Sequence, residues 1–94
     1  MPVGILNLSI TLPGCISLKE KRSRISPMIH RIHARFNVSI SEVDHQDVLD
    51  DTCISCALVS NDRILIENSL HEVVKYLESH WPDEVVYKEE VEIL

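Results

Sequence analysis

Positively charged side chains are concentrated in one segment of the chain, between positions 19 and 35. Six of the nine Lys and Arg residues lie there, against one acidic residue, Glu20. The guanidinium group of arginine binds two phosphate oxygens at once, and lysine binds phosphate as a point charge. This set of residues could therefore bind the phosphate backbone of a nucleic acid. The candidates for phosphate or partner binding are Lys19, Lys21, Arg22, Arg24, Arg31 and Arg35.

The rest of the sequence carries the opposite charge. Residues 1–36 have a net charge of +5, whereas residues 37–94, with three cations and fourteen acids, have −11. The total of −6 argues against a protein held on nucleic acid by its overall field, but one basic face can still meet RNA in one orientation. The alternative is a solvated helix face that only neutralises the acidic part of the chain.

A second candidate site is the polar turn that contains His45 and Asp47. An aspartate that orients a histidine is a common arrangement for acid–base chemistry. The alternative is a turn held by side-chain hydrogen bonds to the backbone. The turn lacks the glycine and terminal glutamate of a calcium loop, and the chain offers neither a nucleophile set nor a glycine-rich phosphate loop, so we expect no catalytic residues.

The cysteines and the paired histidines do not predict a metal site. Cys53 and Cys56 have metal-ligand spacing, but on a strand residues three apart point to opposite faces. His30 and His33 share a helical turn without a carboxylate to complete a ligand set. We therefore expect neither metal nor cofactor, and we expect Cys15 to be the exposed thiol.

Length and composition indicate one globular domain spanning residues 1–94, with 45% apolar and 26% charged residues. No apolar run approaches the roughly 18 residues of a membrane span. Three cysteines are too few, and odd in number, for a disulfide-stapled secreted domain. These features predict a cytoplasmic protein that makes no contact with membranes.

Hydrophobic periodicity predicts six elements in the order β-α-β-β-α-β. The predicted strands cover residues 3–12, 37–43, 52–60 and 85–94. Ser17 and Glu20 have capping-box spacing, so the first helix is expected to begin at about Leu18, and it should end near Phe36. Ser60 or Asn61 is expected to cap the second helix, which Pro82 closes.

This order predicts an α+β fold, the ferredoxin-like plait, with a four-stranded antiparallel sheet and both helices on one face. A doubly wound parallel sheet is the weaker alternative, because the link between strands two and three is too short for a crossover helix. The predicted core consists of Leu6, Leu8, Ile10, Ile25, Ile29, Ile32, Ile54, Leu58, Leu70, Val73, Leu77 and Trp81.

The sequence also predicts which side chains occupy the open face of the sheet and one side of the last strand. The open face of the sheet is predicted to hold small polar side chains and no aromatic ring to stack bases, which argues against an RNA-recognition motif. On the last strand, one side is expected to carry Val85, Tyr87, Val91 and Ile93.

Five short segments of the chain carry a family resemblance: Leu12-Pro-Gly14, Ser17-Leu-Lys-Glu-Lys-Arg22, Arg35-Phe-Asn-Val-Ser39, His45-Gln-Asp47 and Ala57-Leu-Val-Ser-Asn-Asp62. In this order and spacing they resemble the YlxP-like family of small bacterial proteins, a domain of unknown function, over residues 3–94. The resemblance implies a ferredoxin-like fold, a bacterial cytosolic protein and, through neighbouring genes, an association with ribosomes or RNA. Pro27, Cys53 and Cys56 depart from the family pattern.

These observations predict a non-enzymatic binding protein that contacts RNA or the ribosome through its first helix. The alternative is a homo-oligomeric module that binds a small regulatory ligand. Leu65 and Tyr76 are expected on the same exposed flank of the second predicted helix, and they favour a homodimer.

Overall fold

The computed structural model describes residues 2–94. Its elements are β1 (Val3–Thr11), α1 (Leu18–Arg35), β2 (Ser39–Asp44), β3 (Asp51–Val59), α2 (Arg63–His80) and β4 (Val85–Ile93). The strands form one antiparallel sheet in the order β2-β3-β1-β4. The chain therefore adopts the predicted ferredoxin-like plait. Neither helix of the described part is long and apolar enough to cross a membrane.

Both helices begin at capped N-termini. The Ser17 hydroxyl accepts a hydrogen bond from the Glu20 N–H at 3.0 Å, as predicted. The Glu20 carboxylate accepts from the Ile16 N–H, also at 3.0 Å, rather than from Ser17. In α2 the prediction of Ser60 or Asn61 as the cap is wrong: the Asp62 carboxylate accepts from two N–H groups of the first turn and is the N-cap.

The hydrophobic core lies between the sheet and the two helices. Leu6, Leu8 and Ile10 of β1 are buried beside Cys56, Ile54 and Thr52 of β3, their partners in the sheet. Ten of the twelve predicted core residues are buried. Ile29 and Trp81 instead lie half-exposed at the margin of the core.

The buried side of α1 is rotated from the side that the predicted core residues Ile25, Ile29 and Ile32 define. Its buried residues are Lys21, Ile25, Met28 and Ile32, whereas Ile29 lies at the margin of the core. In this orientation α1 contacts both α2 and β2. The rotation brings a lysine, Lys21, into the interior.

A β-bulge in β4 changes which of its side chains face the helices. Ser9 is paired with Lys88 and Ile10 with Val86, so Tyr87 is an extra residue in the strand. Because directly paired residues share a face, Val91 lies on the helix side and Val85 on the open side. The prediction that Val85, Tyr87, Val91 and Ile93 all lie on one side of the strand is therefore wrong.

The backbone of β1 comes very close to α2 at Gly4. A Cβ atom at this position would lie 2.1 Å from Ile66 Cγ2, well inside van der Waals contact. A glycine at this position therefore permits the close packing of the helix on the sheet.

Candidate functional site

The six candidate cations of α1 have different environments, and Lys21 is the most buried of them. Its side chain is 3% exposed, and its ammonium group lies 3.0 Å from Glu42 Oε2. The same group donates hydrogen bonds to the carbonyls of His45 and Val48, the latter at 2.6 Å. Lys21 joins α1 to the turn after β2. Its ammonium group is enclosed by these partners, so Lys21 adds no exposed charge to the surface of α1.

Arg24 is also engaged within the fold. Its guanidinium donates to the Pro13 carbonyl at 2.9 Å and to the buried Glu84 carboxylate at 2.5 Å. The hydrogen bond to Glu84 raises the pKa of Arg24 above its ordinary value. Arg24 therefore fastens α1 to the loops before α1 and before β4, and little of its charge is available to a partner.

The other four cations, Lys19, Arg22, Arg31 and Arg35, are exposed. Within residues 2–94, none of them lies within 4.0 Å of a carboxylate oxygen. Lys19 and Arg35 are separated by roughly 24 Å along the axis of α1, at 1.5 Å per residue. We call these four residues the basic track. At about 100° per residue, Lys19 and Arg22 lie on one flank of α1, beside the turn after β2, and Arg31 and Arg35 lie on the other flank, toward α2.

Arg31 and Arg35 lie over a cluster of rings between the C-terminal ends of α1 and α2. The Arg31 guanidinium is 4.9 Å from the centre of the Trp81 ring. The Arg35 guanidinium is 5.1 Å from the centre of the Tyr76 ring, which stacks at 4.0 Å on His80. We call Phe36, Tyr76, His80 and Trp81 the aromatic cluster.

The aromatic cluster changes the expectation for the second helix. Tyr76 was expected on an exposed flank beside Leu65, but its ring is half-buried against Phe36 and Trp81. Leu65 is exposed, as expected. The cluster escaped sequence reasoning because it joins residues that are forty positions apart, on the margins of two helices.

A groove of about 460 Å³ lies between α1 and the turn after β2. Arg22 lines one side, and Glu42 and Asp47 line the other. Ile25 and Ile29 contribute apolar surface. The groove is amphipathic, and it contains one of the two residues of the predicted polar turn site.

The other residue of that site, His45, pairs with different aspartates. Its Nδ1 atom lies 2.8 Å from Asp51 Oδ2, and its Nε2 atom lies 3.9 Å from Asp44 Oδ2. The backbone of His45 is in the left-handed region, with φ of 60°. The ring thus joins the start of β3, while Asp47 lines the groove.

The three cysteines are free thiols in different environments. Cys53 is half-exposed on the open face, with its sulfur 3.7 Å from His45 Nδ1, whereas Cys56 is buried in the core. This confirms that the pair point to opposite faces. Burial raises the pKa of the Cys56 thiol to about 12. The expectation of an exposed Cys15 is wrong, because the residue is 6% exposed and contributes to the core.

The open face carries the ring of Tyr87, although no aromatic side chain was predicted there. The Tyr87 hydroxyl donates to the Asp51 carboxylate at 3.0 Å, so its side chain reaches across β1 to β3. This hydrogen bond raises the pKa of Tyr87. The bulge at Tyr87 produces this placement, and a bulge of one residue leaves no signal in a short alternating pattern.

The fold and the surface define a ferredoxin-like domain with a basic helix. The family model described as a protein of unknown function, DUF503, matches residues 3–89, and the chain belongs to this family. It is 40% identical over 77 residues to the uncharacterized protein YlxP of Bacillus subtilis (strain 168), covering 82% of this chain and 84% of that protein.

Among solved structures, the de novo designed protein Foldit4 is similar to this chain with a TM-score of 0.55. The alignment covers 100% of this chain and 97% of the designed protein, at 9% sequence identity. At this identity the likeness concerns the fold alone.

Proposed function

We propose that the protein is a non-enzymatic, cytoplasmic binding protein that contacts RNA, alone or within the ribosome, through the basic track of α1. The observation that carries the proposal is that Lys19, Arg22, Arg31 and Arg35 are exposed and, within residues 2–94, unpaired with carboxylates. Exposed lysine and arginine side chains without a carboxylate partner are free to bind the phosphate groups of RNA.

The distribution of acids would fix the orientation of the complex. The exposed carboxylates of β4, Glu89, Glu90 and Glu92, lie on the strand at the opposite edge of the sheet from β2. A polyanion would be repelled by this edge and attracted by α1. Charge arrangements of this kind select one orientation of approach and raise the association rate.

The aromatic cluster favours a nucleic acid over an acidic protein surface. Arg31 and Arg35 lie beside partly exposed rings, and His80 of the cluster is exposed. Unpaired bases of RNA stack on aromatic rings and on guanidinium planes. A single-stranded segment could place phosphates on the basic track and a base on the cluster.

The test is the affinity of a labelled single-stranded RNA for a variant in which all four residues of the basic track are changed to Gln. We expect the affinity to fall at least tenfold at low salt. A matched control replaces Arg63 and Lys88, two exposed cations outside α1 and away from the aromatic cluster, by Gln, and it should change affinity by less than twofold. Equal losses in the two variants would contradict a specific surface.

A ribosome and RNA pull-down from bacterial lysate at two salt concentrations extends the test to the natural partner. Recovery of RNA or ribosomal proteins that disappears at the higher salt supports the proposal. Recovery of an acidic protein that RNA does not displace would support a protein partner instead. Recovery of neither at low salt would contradict the proposal.

The second candidate function is a homo-oligomeric module that binds a small ligand, and the amphipathic groove beside Arg22 favours it. An anionic metabolite with an apolar body would match Arg22 and the two isoleucines. Stabilisation of the protein by such a metabolite in a thermal-shift panel, together with a dimeric mass by light scattering, would favour this function over RNA binding.

A further inference from the structure

The turn between β2 and β3 brings three different metal-ligating side chains together on the open face of the sheet. A nitrogen of His45, the sulfur of Cys53 and a carboxylate oxygen of Asp44 lie within 4.8 Å of one another. The irregular pairing of β2 with β3 produces this arrangement, because it sets Asp44 opposite Cys53. His45 then follows in its left-handed conformation.

We propose that Asp44, His45 and Cys53 bind a divalent transition-metal ion of the zinc class. Thiolate, imidazole and carboxylate are the side-chain ligands that zinc takes in proteins. Donors around one tetrahedral zinc ion are about 3.3 to 3.8 Å apart, given metal–ligand distances of 2.0 to 2.3 Å. Rotation of the partly exposed side chains shortens the present separations to this range, and water supplies the fourth ligand.

The neighbouring residues position the imidazole for this role. Asp51 Oδ2 lies 2.8 Å from His45 Nδ1, and Tyr87 donates to both oxygens of Asp51 at 3.0 Å. A carboxylate that holds one ring nitrogen leaves the other for the metal and fixes the ring orientation. The free nitrogen, Nε2, lies 3.9 Å from Asp44 Oδ2. The Cys53 sulfur lies 3.7 Å from Nδ1, so the thiol must turn toward Nε2 to complete the site.

The site differs from the metal pattern considered in the sequence. Cys53 was considered there with Cys56, which lies on the opposite face of β3 and is buried in the core. The actual neighbours of Cys53 come from the end of β2, and no sequence spacing shows them. The site is separate from the basic track of α1, so the metal-binding proposal does not depend on RNA binding.

The test is a titration of the reduced full-length protein, freed of any histidine tag and of metal, with Co²⁺. Cobalt replaces zinc in such sites, and a thiolate ligand gives a charge-transfer band in the near ultraviolet. We expect this band to saturate at one Co²⁺ per chain and to disappear when Zn²⁺ is added. Absence of the band at saturating Co²⁺ would overturn the proposal.

Variants identify the ligands. Cys53→Ser should abolish the band, and Asp44→Asn and Asp51→Asn should each weaken Co²⁺ binding by about 10- to 100-fold. The matched controls Cys56→Ala and Asp47→Asn should keep the band and the affinity. Circular dichroism checks that each variant is folded, and Asp44, which is exposed, offers a variant with little effect on folding. A band that survives in folded Cys53→Ser or Asp44→Asn at unchanged affinity would contradict the assignment.

Discussion

Lys21 Nζ lies 3.0 Å from Glu42 Oε2, and this contact ties α1 to β2 in the interior of the molecule. Glu42 also accepts a hydrogen bond from the Thr52 hydroxyl at 2.6 Å. The lysine is thus part of a buried network that spans α1, β2 and β3. This explains how the interior accommodates a cation at the centre of a helix face.

Loss of this ammonium group should destabilise the protein. Lys21→Met leaves the Glu42 carboxylate without its counter-ion and the carbonyls of His45 and Val48 without this donor, so we expect a cost of about 2 to 4 kcal/mol. Urea unfolding measures it. The adjacent Arg22→Met is the matched control and should stay within about 0.5 kcal/mol, since Arg22 is exposed. Equal stability of the two variants would contradict the network.

The close approach of β1 to α2 predicts an effect at Gly4. In Gly4→Ala the added methyl group would meet Ile66, so we expect a loss of about 1 to 3 kcal/mol. The control is the same change made in an Ile66→Ala background, where the methyl group finds space. Gly4→Ala should lower the free energy of unfolding by less in that background. An equal loss in both backgrounds would show that the clash with Ile66 is not the cause.

Burial of the Cys56 thiol predicts a pH dependence of stability. Its pKa is raised from 9.0 to about 12 in the folded protein, so the folded state keeps a proton that the unfolded state releases. The stabilisation is fully present below about pH 9 and is lost as the pH rises toward 12, with a slope of at most about 1.4 kcal/mol per pH unit.

Unfolding by urea at several alkaline pH values tests this expectation. Cys56→Ala should flatten the decline, while Cys53→Ala should preserve it. Tyr87, whose pKa is also raised, remains in both variants and contributes a decline of the same sign. An identical decline in Cys56→Ala and the unmodified protein would show that the thiol is not responsible.

The order and type of the six elements could be predicted from the sequence because alternation, helical periodicity and caps are local signals. The alternation of apolar and polar residues made β1 and β3 easy to predict, because every second side chain of these strands enters the core. The rotation of α1 could not be predicted in the same way. The orientation in which a helix packs depends on its neighbours in the fold, here α2 and β2, and the periodicity of the helix alone does not contain them.

The candidate surfaces were predicted only in part. The basic composition of α1 is visible in the sequence, but whether a cation is free depends on distant partners such as Glu84 for Arg24. His45 was paired with Asp47, two positions further along the chain, whereas its ring meets Asp51. Irregularities of strand pairing determine such contacts, and they leave weak sequence signals.

Trp81 provides an internal probe of RNA binding. It is the single tryptophan of the chain, and Arg31 lies 4.9 Å from its ring centre. Movement of Arg31 toward a phosphate, or stacking of a base on the aromatic cluster, should change the fluorescence of Trp81. The change should follow the same midpoint as RNA binding measured by anisotropy.

Variants of the basic track separate the two ends of the helix. Arg31→Gln should remove most of the fluorescence change, and Lys19→Gln should weaken binding but keep the change at saturating RNA. RNA binding with no fluorescence change in the unmodified protein would place the contact away from the aromatic cluster.

The salt dependence of RNA affinity tests the central claim most directly. Each phosphate contact with a single strand contributes a slope of about −0.7 to the logarithm of the binding constant against the logarithm of salt concentration. If all four residues of the basic track contact phosphates, the slope is about −2.8, and Arg31→Gln and Arg35→Gln together should make it shallower by about 1.4. A slope near zero, or one that the change of all four residues to Gln leaves unaltered, would contradict RNA binding through α1.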